Sequence, residues 1–283
     1  MTHEQEFITA FEGDLPVGTR TPSALRHRLR NFAPAVVAFV AVIVIWEGAI
    51  RIFDIKAFVL PAPSVILGRF FATADVIWGA GLNTLLEAVG GLVGGTILAV
   101  ALAFATVRWV PVREGLMPFA IAANSIPIIA LAPIANGMFS ITSVVPKMAV
   151  VGVVVFFPVM INTARGLLEV DPDELELMRS YAATPRAVMW KVRVPHALPY
   201  FFSAMKVVTV LSIVFAIVAE YFGGSQEVLG QYILTKASLS VYSDAWAGIM
   251  VASILGLALY ALTLGTERLV MPWHVSFRAA DES

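Results

Sequence analysis

The chain has 283 residues, of which 59% are apolar and 14% are charged, and its mean hydropathy is +0.83. Soluble domains average roughly 25% charged residues, so this composition points to the membrane. A net charge of −1 provides no basic surface for nucleic acid, and nucleic-acid binding is excluded as a main function. Because the chain has no cysteine, disulfides, cysteine-ligated metal centres and thiol catalysis are excluded as well.

Six apolar segments are long enough to cross about 30 Å of hydrocarbon, which takes roughly 20 helical residues. They predict an all-α membrane protein with six transmembrane helices, at residues 32–52, 82–107, 116–137, 144–168, 198–222 and 245–269. Residues 1–31 are polar and lack the apolar core of a cleavable signal peptide. We therefore expect the first span to remain in the mature protein.

The basic residues are distributed unequally between the two sides of the predicted membrane domain. If the N-terminus is cytoplasmic, thirteen of the nineteen Lys and Arg lie on that side and five lie on or near the other. Short cytoplasmic loops are enriched in Lys and Arg, so both termini are predicted to be cytoplasmic. The expected organisation is a cytoplasmic segment (1–31), a six-span domain (32–275) whose longest cytoplasmic loop is 169–197, and a cytoplasmic tail (276–283).

A proline-led segment between the first two spans predicts a short helix on the outer side. Pro61 and Pro63 disfavour helix before them, and Ser64 can then act as the N-cap residue. We expect an interfacial helix to start there. Glu47 and Glu220 lie near the outer ends of their spans, where both are expected to be hydrated.

The loop at 169–197, called the loop segment below, carries two helix-start signals. The pair Asp171–Pro172 predicts a helix from Pro172 to Ala183, with Asp171 as the N-cap residue. The pair Thr184–Pro185 repeats the signal, and this second short helix is expected to stop before residue 195. The loop segment is therefore predicted to consist of two rigid pieces.

Apolar side chains follow one face of the first loop helix. They are Leu175, Met178 and Ala182, with Leu177 and Tyr181 beside them. An apolar stripe on a short loop needs cover, which either the chain's own helix ends or a cytoplasmic partner can supply. Both interpretations stay open at this point.

The loop segment resembles a known family motif. Residues 176–184 (Glu-Leu-Met-Arg-Ser-Tyr-Ala-Ala-Thr) and 194–199 (Val-Pro-His-Ala-Leu-Pro) resemble the Glu-Ala-Ala loop of binding-protein-dependent ABC importer permeases. Further strings at 60–64, 125–133, 156–158, 170–172 and 218–220 are similar, in order and spacing, to the nitrate/sulfonate/taurine branch of that family. Leu177 and Met178 replace two usual alanines, and Ala182 replaces a usual glycine. We expect the two-piece loop to persist with a somewhat different turn.

Residues 176–183 and 272–274 are also similar to members of this branch assigned to uptake of nitrogen heterocycles, such as pyrimidine thiamine precursors or riboflavin. The resemblance implies the permease subunit of an ABC importer in the bacterial plasma (inner) membrane, without enzymatic activity or a cofactor of its own. Alternatives are the same machinery carrying nitrate, sulfonate or taurine, and a stand-alone secondary transporter.

The energy source is expected to lie outside the chain. The phosphate-binding sequence Gly-x-x-x-x-Gly-Lys-[Ser/Thr] does not occur, and the resemblance implies a cytoplasmic ABC ATPase dimer that hydrolyses ATP. Each ATPase would receive one loop segment, with residues 172–192 as the coupling helix. The contacting residues so implied are Leu175, Glu176, Met178, Arg179, Tyr181, Ala182, Thr184 and Pro185. The other implied partners are an external solute-binding protein, membrane lipid, and a second permease copy or a sister permease, because six spans are too few to enclose a solute path.

Proline and polar residues within the spans point to that path. Pro127 and Pro133 interrupt the third span, and broken helix at membrane depth is tolerated where it is buried in protein or lines a cavity. A kink packed wholly in protein is the alternative to a path. Glu87 of the second span either makes an interhelical hydrogen bond or faces the path. The residues predicted to line the path are Glu87, Asn124, Ser125, Pro127, Met160 and Asn162.

Four glycines in the second span, at positions 90, 91, 94 and 95, form a small-residue pattern. Small residues let helix backbones approach closely in lipid. We expect this contact to form within one subunit rather than between two.

Overall fold

The structure is a computed structural model that describes residues 24–123, 127, 130–140 and 142–273. Within these ranges the chain is helical, with short turns and no strands. In chain order the helices are α1 (Ala24–Ile52), α2 (Pro63–Ala72), α3 (Ala74–Arg108), α4 (Val110–Ala123), α5 (Leu131–Met138), α6 (Val145–Leu168), α7 (Pro172–Ser180), α8 (Pro185–Val188), α9 (Val194–Tyr221), α10 (Leu229–Ser238) and α11 (Tyr242–Val270). A π-helical turn, Met189–Arg193, joins α8 to α9.

Five helical segments of the described residues are long and apolar enough to cross a membrane. They are Ala33–Ile52, Ala74–Arg108, Val145–Leu168, Pro185–Tyr221 and Tyr242–Val270. These segments correspond to five of the six predicted spans. The all-helical membrane class is therefore confirmed, whereas the third predicted span has a different form.

The third predicted span, 116–137, is divided between α4 and α5, each too short to cross the membrane alone. Pro127 lies outside any helix between them. Pro133 lies in the first turn of α5, where the missing N–H breaks no intrahelical hydrogen bond. The position of Pro127 between the helices and that of Pro133 in the first turn of α5 both fit this division.

Two compact units divide the chain after residue 45. In the first unit, the α1 residues from 33 onward are mostly exposed, including Val37, Phe39 and Ile45. The second unit begins at Trp46 and contains the helices from α2 to α11.

α6 is the central helix of the second unit and packs against both α3 and α9. Its side chains at Val151, Val155 and Val159 have no exposed surface. Small residues of the neighbouring helices, Ala88 of α3 and Ala216 of α9, belong to the same buried cluster. Alanines of the neighbouring helices therefore contribute, beside larger apolar side chains, to a core centred on the valines of α6.

α3 and α6 approach each other closely through glycines. A Cβ on Gly95 would lie 2.5 Å from the carbonyl oxygen of Gly152, and one on Gly91 would lie 2.6 Å from that of Met148. A Cβ added at Gly94, by contrast, would have no atom of the described residues within 4 Å beyond its own helix backbone and chain neighbours. The predicted glycine contact thus forms within the chain, and Gly94 stays outside it.

The outer helix α2 begins at Pro63, so Ser64 is not its N-cap residue, contrary to the prediction. The N-cap residue is Ala62, which makes no side-chain cap hydrogen bond. The N–H and hydroxyl of Ser64 instead donate to the Glu47 carboxylate, at 3.1 and 2.8 Å. Glu47 also accepts from Arg51 at 2.8 Å. This carboxylate therefore caps α2 from another helix, where the α2 dipole favours a negative charge.

An ion cluster joins α2 to the other outer elements. Arg69 donates two hydrogen bonds to Asp244 at the start of α11, and the Asp244 carboxylate raises the pKa of Arg69 above its ordinary value. Lys236 of α10 lies 3.1 Å from the same carboxylate. Ile66 and Phe70 of α2 are buried, and α2 packs against α11, the helix that carries Asp244. One buried carboxylate therefore holds α2, α10 and α11 together.

Replacing Gly95 with Ala should lower the free energy of unfolding by about 1–3 kcal/mol, the usual cost of overpacking. The added methyl group would meet the backbone of Gly152, which cannot turn aside as a side chain can. Gly94→Ala is the matched control and should stay within about 0.5 kcal/mol of the original protein. Denaturant unfolding of both variants in detergent micelles makes the comparison, and equal midpoints would contradict the close α3–α6 contact.

Candidate functional site

The first piece of the loop segment starts where it was predicted to start. α7 begins at Pro172, and the side chain of Asp171 accepts a hydrogen bond from the Asp173 N–H at 2.9 Å. The helix ends at Ser180, earlier than the predicted end at Ala183. The cap is local and therefore readable from the sequence, whereas the end depends on the conformation of the next residues.

α7 ends because Ala182 adopts a left-handed backbone conformation, with φ 49°. The Ala182 N–H donates to the Arg179 carbonyl at 2.9 Å, and the Ala183 N–H donates to the Met178 carbonyl at 3.0 Å. This hydrogen-bond pair is the Schellman arrangement, which usually has glycine at the left-handed position. Ala182 thus adopts the left-handed conformation that glycine usually has at this position of the motif, at a steric cost of about 1–2 kcal/mol.

The second piece also starts as predicted but does not stop before Pro195. The Thr184 hydroxyl accepts from the Ala187 N–H at 3.2 Å and caps α8. The π-helical turn then carries the chain directly into α9, and the Val194 N–H donates to the Met189 carbonyl. Pro195 lies in the first turn of α9. The wider π-helical turn gives room for a proline that a regular α-helix would not accommodate.

The apolar stripe of α7 is only partly covered by its own chain. Leu175 and Met178 are half-buried, and Met178 lines a cleft of about 400 Å³ together with Pro195 and Trp273. Leu177 and Tyr181 are 56% and 76% exposed. The chain's own helix ends therefore cover one part of the stripe and leave the other part open.

Two side chains at the start of α9 bind the end of α6. Arg193 Nη1 donates to the Leu167 carbonyl at 2.5 Å, and His196 Nδ1 lies 2.7 Å from the Gly166 carbonyl oxygen. These carbonyls belong to the last turn of α6, which has no intrahelical donors for them. No role is predicted for either residue from the sequence. Their separation by three positions, close to one helical turn, places both on one face of a helix and is the pattern that could have indicated a shared contact.

The predicted path residues do not form one exposed surface in the single chain. Pro127 is exposed, whereas Glu87 and Met160 are buried. Asn162 is half-buried, and its Nδ2 donates to the Pro158 carbonyl at 2.8 Å within its own helix. The predicted residues Asn124 and Ser125 lie outside the described residues.

Glu87, Lys147 and Glu220 form a buried charged cluster where α3, α6, α9 and α10 meet. Glu87 and Glu220 belong to different helices, and both are buried. The two predicted roles of Glu87, an interhelical hydrogen bond or a place on the path, stay predictions. Glu220 accepts from the Gly230 N–H at 2.6 Å and has no exposed surface. The expectation that Glu220 is hydrated is wrong, because the start of α10 folds over it.

A buried lysine completes this cluster. Lys147 has no exposed surface and lies close enough to both carboxylates to interact electrostatically with them. Its ammonium group also donates to the Ser143 carbonyl at 2.8 Å. Lys147 is one of the five basic residues predicted on or near the outer side, and no role is predicted for it, since no local pattern indicates which distant carboxylates face it. Within the described residues, no group of three or more acidic or histidine side chains is placed to hold a metal ion.

A family described as the inner membrane component of binding-protein-dependent transport systems matches residues 91–272. The chain belongs to this family. The match includes α6, the whole loop segment and α9. These elements are joined by the hydrogen bonds of Arg193 and His196 to the end of α6. The protein is thus an ABC importer permease, a membrane subunit rather than an enzyme.

Relatives agree with the branch predicted from the sequence. This permease is 28% identical over 237 residues to the formylaminopyrimidine transport permease protein of Halalkalibacterium halodurans, covering 83% of this chain and 94% of that protein. It is 28% identical over 269 residues to the riboflavin transport system permease protein of Chloroflexus aurantiacus, covering 93% and 98%. The putative aliphatic sulfonates transport permease protein of Bacillus subtilis is 26% identical over 242 residues, covering 83% and 86%. The predicted family and branch are confirmed.

Ala182→Gly is expected to stabilise the folded permease by about 1 kcal/mol, because glycine adopts a positive φ without the steric cost. The gain in stability should be local and should be seen as slower amide hydrogen exchange in α7. Ala183→Gly, one position further along, is the control and should give no gain, since residue 183 has no positive φ. Hydrogen exchange measured by mass spectrometry compares the variants. Equal protection of α7 in all three proteins would contradict a strained turn at Ala182.

Proposed function

We propose that this permease takes up a nitrogen heterocycle, such as a pyrimidine thiamine precursor or riboflavin, using ATP hydrolysed by a cytoplasmic ABC ATPase dimer. The observation that carries the coupling part is the exposed apolar face of α7. The solute is supported by the names of two relatives, each 28% identical, which specify formylaminopyrimidine and riboflavin transport.

The loop segment is the proposed coupling element. Leu177 on α7 and Tyr181 directly after it are large, exposed side chains at a helix with a capped start. Tyrosine is among the residues that most often dominate binding at protein interfaces, so Tyr181 is the proposed anchor. ATP-driven closure of the ATPase dimer would move two loop segments together, and the long helices would carry that displacement to the gate. The proposed contact residues are Leu175, Glu176, Met178, Arg179, Tyr181, Ala182, Thr184 and Pro185.

We further propose six membrane crossings with both termini in the cytoplasm of a bacterial cell. α4 and α5 together would form the third crossing. At 1.5 Å per residue they extend about 21 Å and about 12 Å, which together match a hydrocarbon core of about 30 Å. The excess of basic residues on the side of the loop segment supports this orientation.

The solute path would lie between two permease copies, or between this chain and a sister permease. Support comes from the exposed Pro127 and from Glu87 Oε2, which is buried and has no hydrogen-bond partner among the residues that the structure describes. Met160 has no exposed surface in the single chain, so contact with a solute would require α6 to move against its neighbours. The proposed lining residues are Glu87, Asn124, Ser125, Pro127, Met160 and Asn162.

An external solute-binding protein would deliver the solute, and lipid would surround the long helices. The second candidate solute class is nitrate, sulfonate or taurine, which the relative named for aliphatic sulfonates supports at 26% identity. Membership of the ABC permease family gives no support to a stand-alone secondary transporter.

Purification of the permease from its native membrane should recover the ATPase with it. Tyr181→Ala should weaken that association about 30-fold, as loss of an interface anchor typically does. The control Leu239→Glu changes another exposed apolar residue, one that lies on the opposite side in the proposed topology, and should leave binding unchanged. Surface-immobilised permease titrated with ATPase measures both variants, and equal affinities would contradict docking through α7.

The solute assignment is tested by ATP hydrolysis in proteoliposomes that contain the permease, its ATPase and the external binding protein. Riboflavin or formylaminopyrimidine should stimulate hydrolysis, whereas taurine and nitrate should not. Stimulation by taurine or nitrate alone would replace the heterocycle with the second candidate class and leave the coupling proposal intact.

A further inference from the structure

We infer that Arg193 and His196 form a clamp that makes α6 and α9 move as one body when the ATPase displaces the loop segment. The clamp consists of these two side chains and the carbonyl groups of Gly166 and Leu167. Both residues are positioning residues, since they act through the helices rather than on a solute. The inference rests on the proposed function, because only a loop segment that is displaced puts a load on the clamp.

The clamp is made of hydrogen bonds between the ends of two helices. The α6 carbonyls of Gly166 and Leu167 are bound by His196 and Arg193, at 2.7 and 2.5 Å. The preceding carbonyl, that of Arg165, accepts from the Glu169 N–H at 2.8 Å. Hydrogen bonds from a cation to a carbonyl are stronger than neutral ones, and a positive charge suits the C-terminal end of a helix.

Close packing behind the clamp keeps these distances short. A Cβ on Gly166 would lie 2.7 Å from the Ala197 Cα, so the two backbones touch at this point. Ala164, Leu167 and Ala197 are buried in one small cluster. The His196 ring lies against the Tyr200 ring, with centroids 5.6 Å apart, which restricts its orientation.

The chain needs such a clamp because both covalent connections of the loop segment contain weak points. Towards α9, the π-helical turn and Pro195 interrupt the regular hydrogen-bond ladder, and such interruptions are recognised hinge positions. Towards α6, the connection 169–171 is not helical. Arg193 ends the π-helical turn and His196 follows Pro195, so the clamp fixes this turn directly to α6. A displacement of the loop segment therefore cannot be absorbed by separating α6 from the start of α9.

The absence of native cysteine permits a direct test. Spin labels on cysteines introduced at Glu169 and Lys191, both exposed, report the distance between the end of α6 and the π-helical turn. The distance is measured in the permease–ATPase complex without nucleotide and after trapping with ATP and vanadate. With the clamp intact, the two distance distributions should coincide.

In the variant R193Q/H196A, the distance should shift by about 2 Å or more and broaden, but only in the trapped state. R193K/H196N keeps a hydrogen-bond donor at each position and should restore the original behaviour. R165Q removes a cation from the last turn of α6 without touching either clamped carbonyl, and should behave as the unmodified complex.

A trapped-state distance in R193Q/H196A equal to that of the unmodified complex would overturn the inference. A shift that is already present without nucleotide would also overturn it, because it would show that the two residues only hold the resting fold. Failure of the proposed function gives a different result, because the unmodified permease would then recover no ATPase at all. That result would also contradict the clamp, since the inference rests on the proposed function.

Discussion

Helix ends that are shielded from water need partners for their backbone groups, and this constraint determines how the helices of this permease are joined. α2 and α10 have no side-chain cap of their own. Glu47 accepts from the exposed Ser64 N–H at the start of α2, while Thr84 and Glu220 accept from the buried N–H groups of Leu229 and Gly230 in α10. Arg193 and His196 do the same for the carbonyls at the end of α6. Because each partner comes from a different helix, satisfying the backbone also selects which helices meet.

Charges among apolar helices are subject to the same requirement. A charged side chain at membrane depth is costly unless it is paired or faces protein. Lys147 lies among carboxylates of two other helices, and Lys206 of α9 donates to Glu267 of α11 at 3.0 Å. Elsewhere on the long helices, glycine makes close contacts, as between Gly95 of α3 and Gly152 of α6, which contribute close packing but little specificity. Small residues therefore set how near the helices come, and the paired charges set which residues lie opposite one another.

The loop segment combines rigidity with strain. Two capped helix starts make α7 and α8 firm, whereas the left-handed Ala182 between them departs from the conformation that alanine prefers. The apolar side chains of α7 are only partly covered by the chain itself. Leu175 and Met178 are half-buried, and their neighbours are exposed. A firm element with an open apolar face, bonded to the end of α6, suits the transfer of displacement from a neighbouring subunit into the membrane helices.

The amino-acid pattern by itself determined the helical class, the five long helices and the starts of α7 and α8. Long apolar runs can satisfy their backbone in lipid only as helices, and caps at Asp171 and Thr184 join residues two or three positions apart. It also indicated the apolar side chains of α7, whereas the structure decided that Leu177 is exposed while Leu175 and Met178 are half-buried. The tertiary structure decided the burial of Glu220, the role of Glu47, the passage through Pro195 and the binding of His196 to α6. The passage through Pro195 depends on the π-helical turn before it. The other three depend on groups brought together from separate helices, and a single linear pattern does not encode which distant group will fold over a residue.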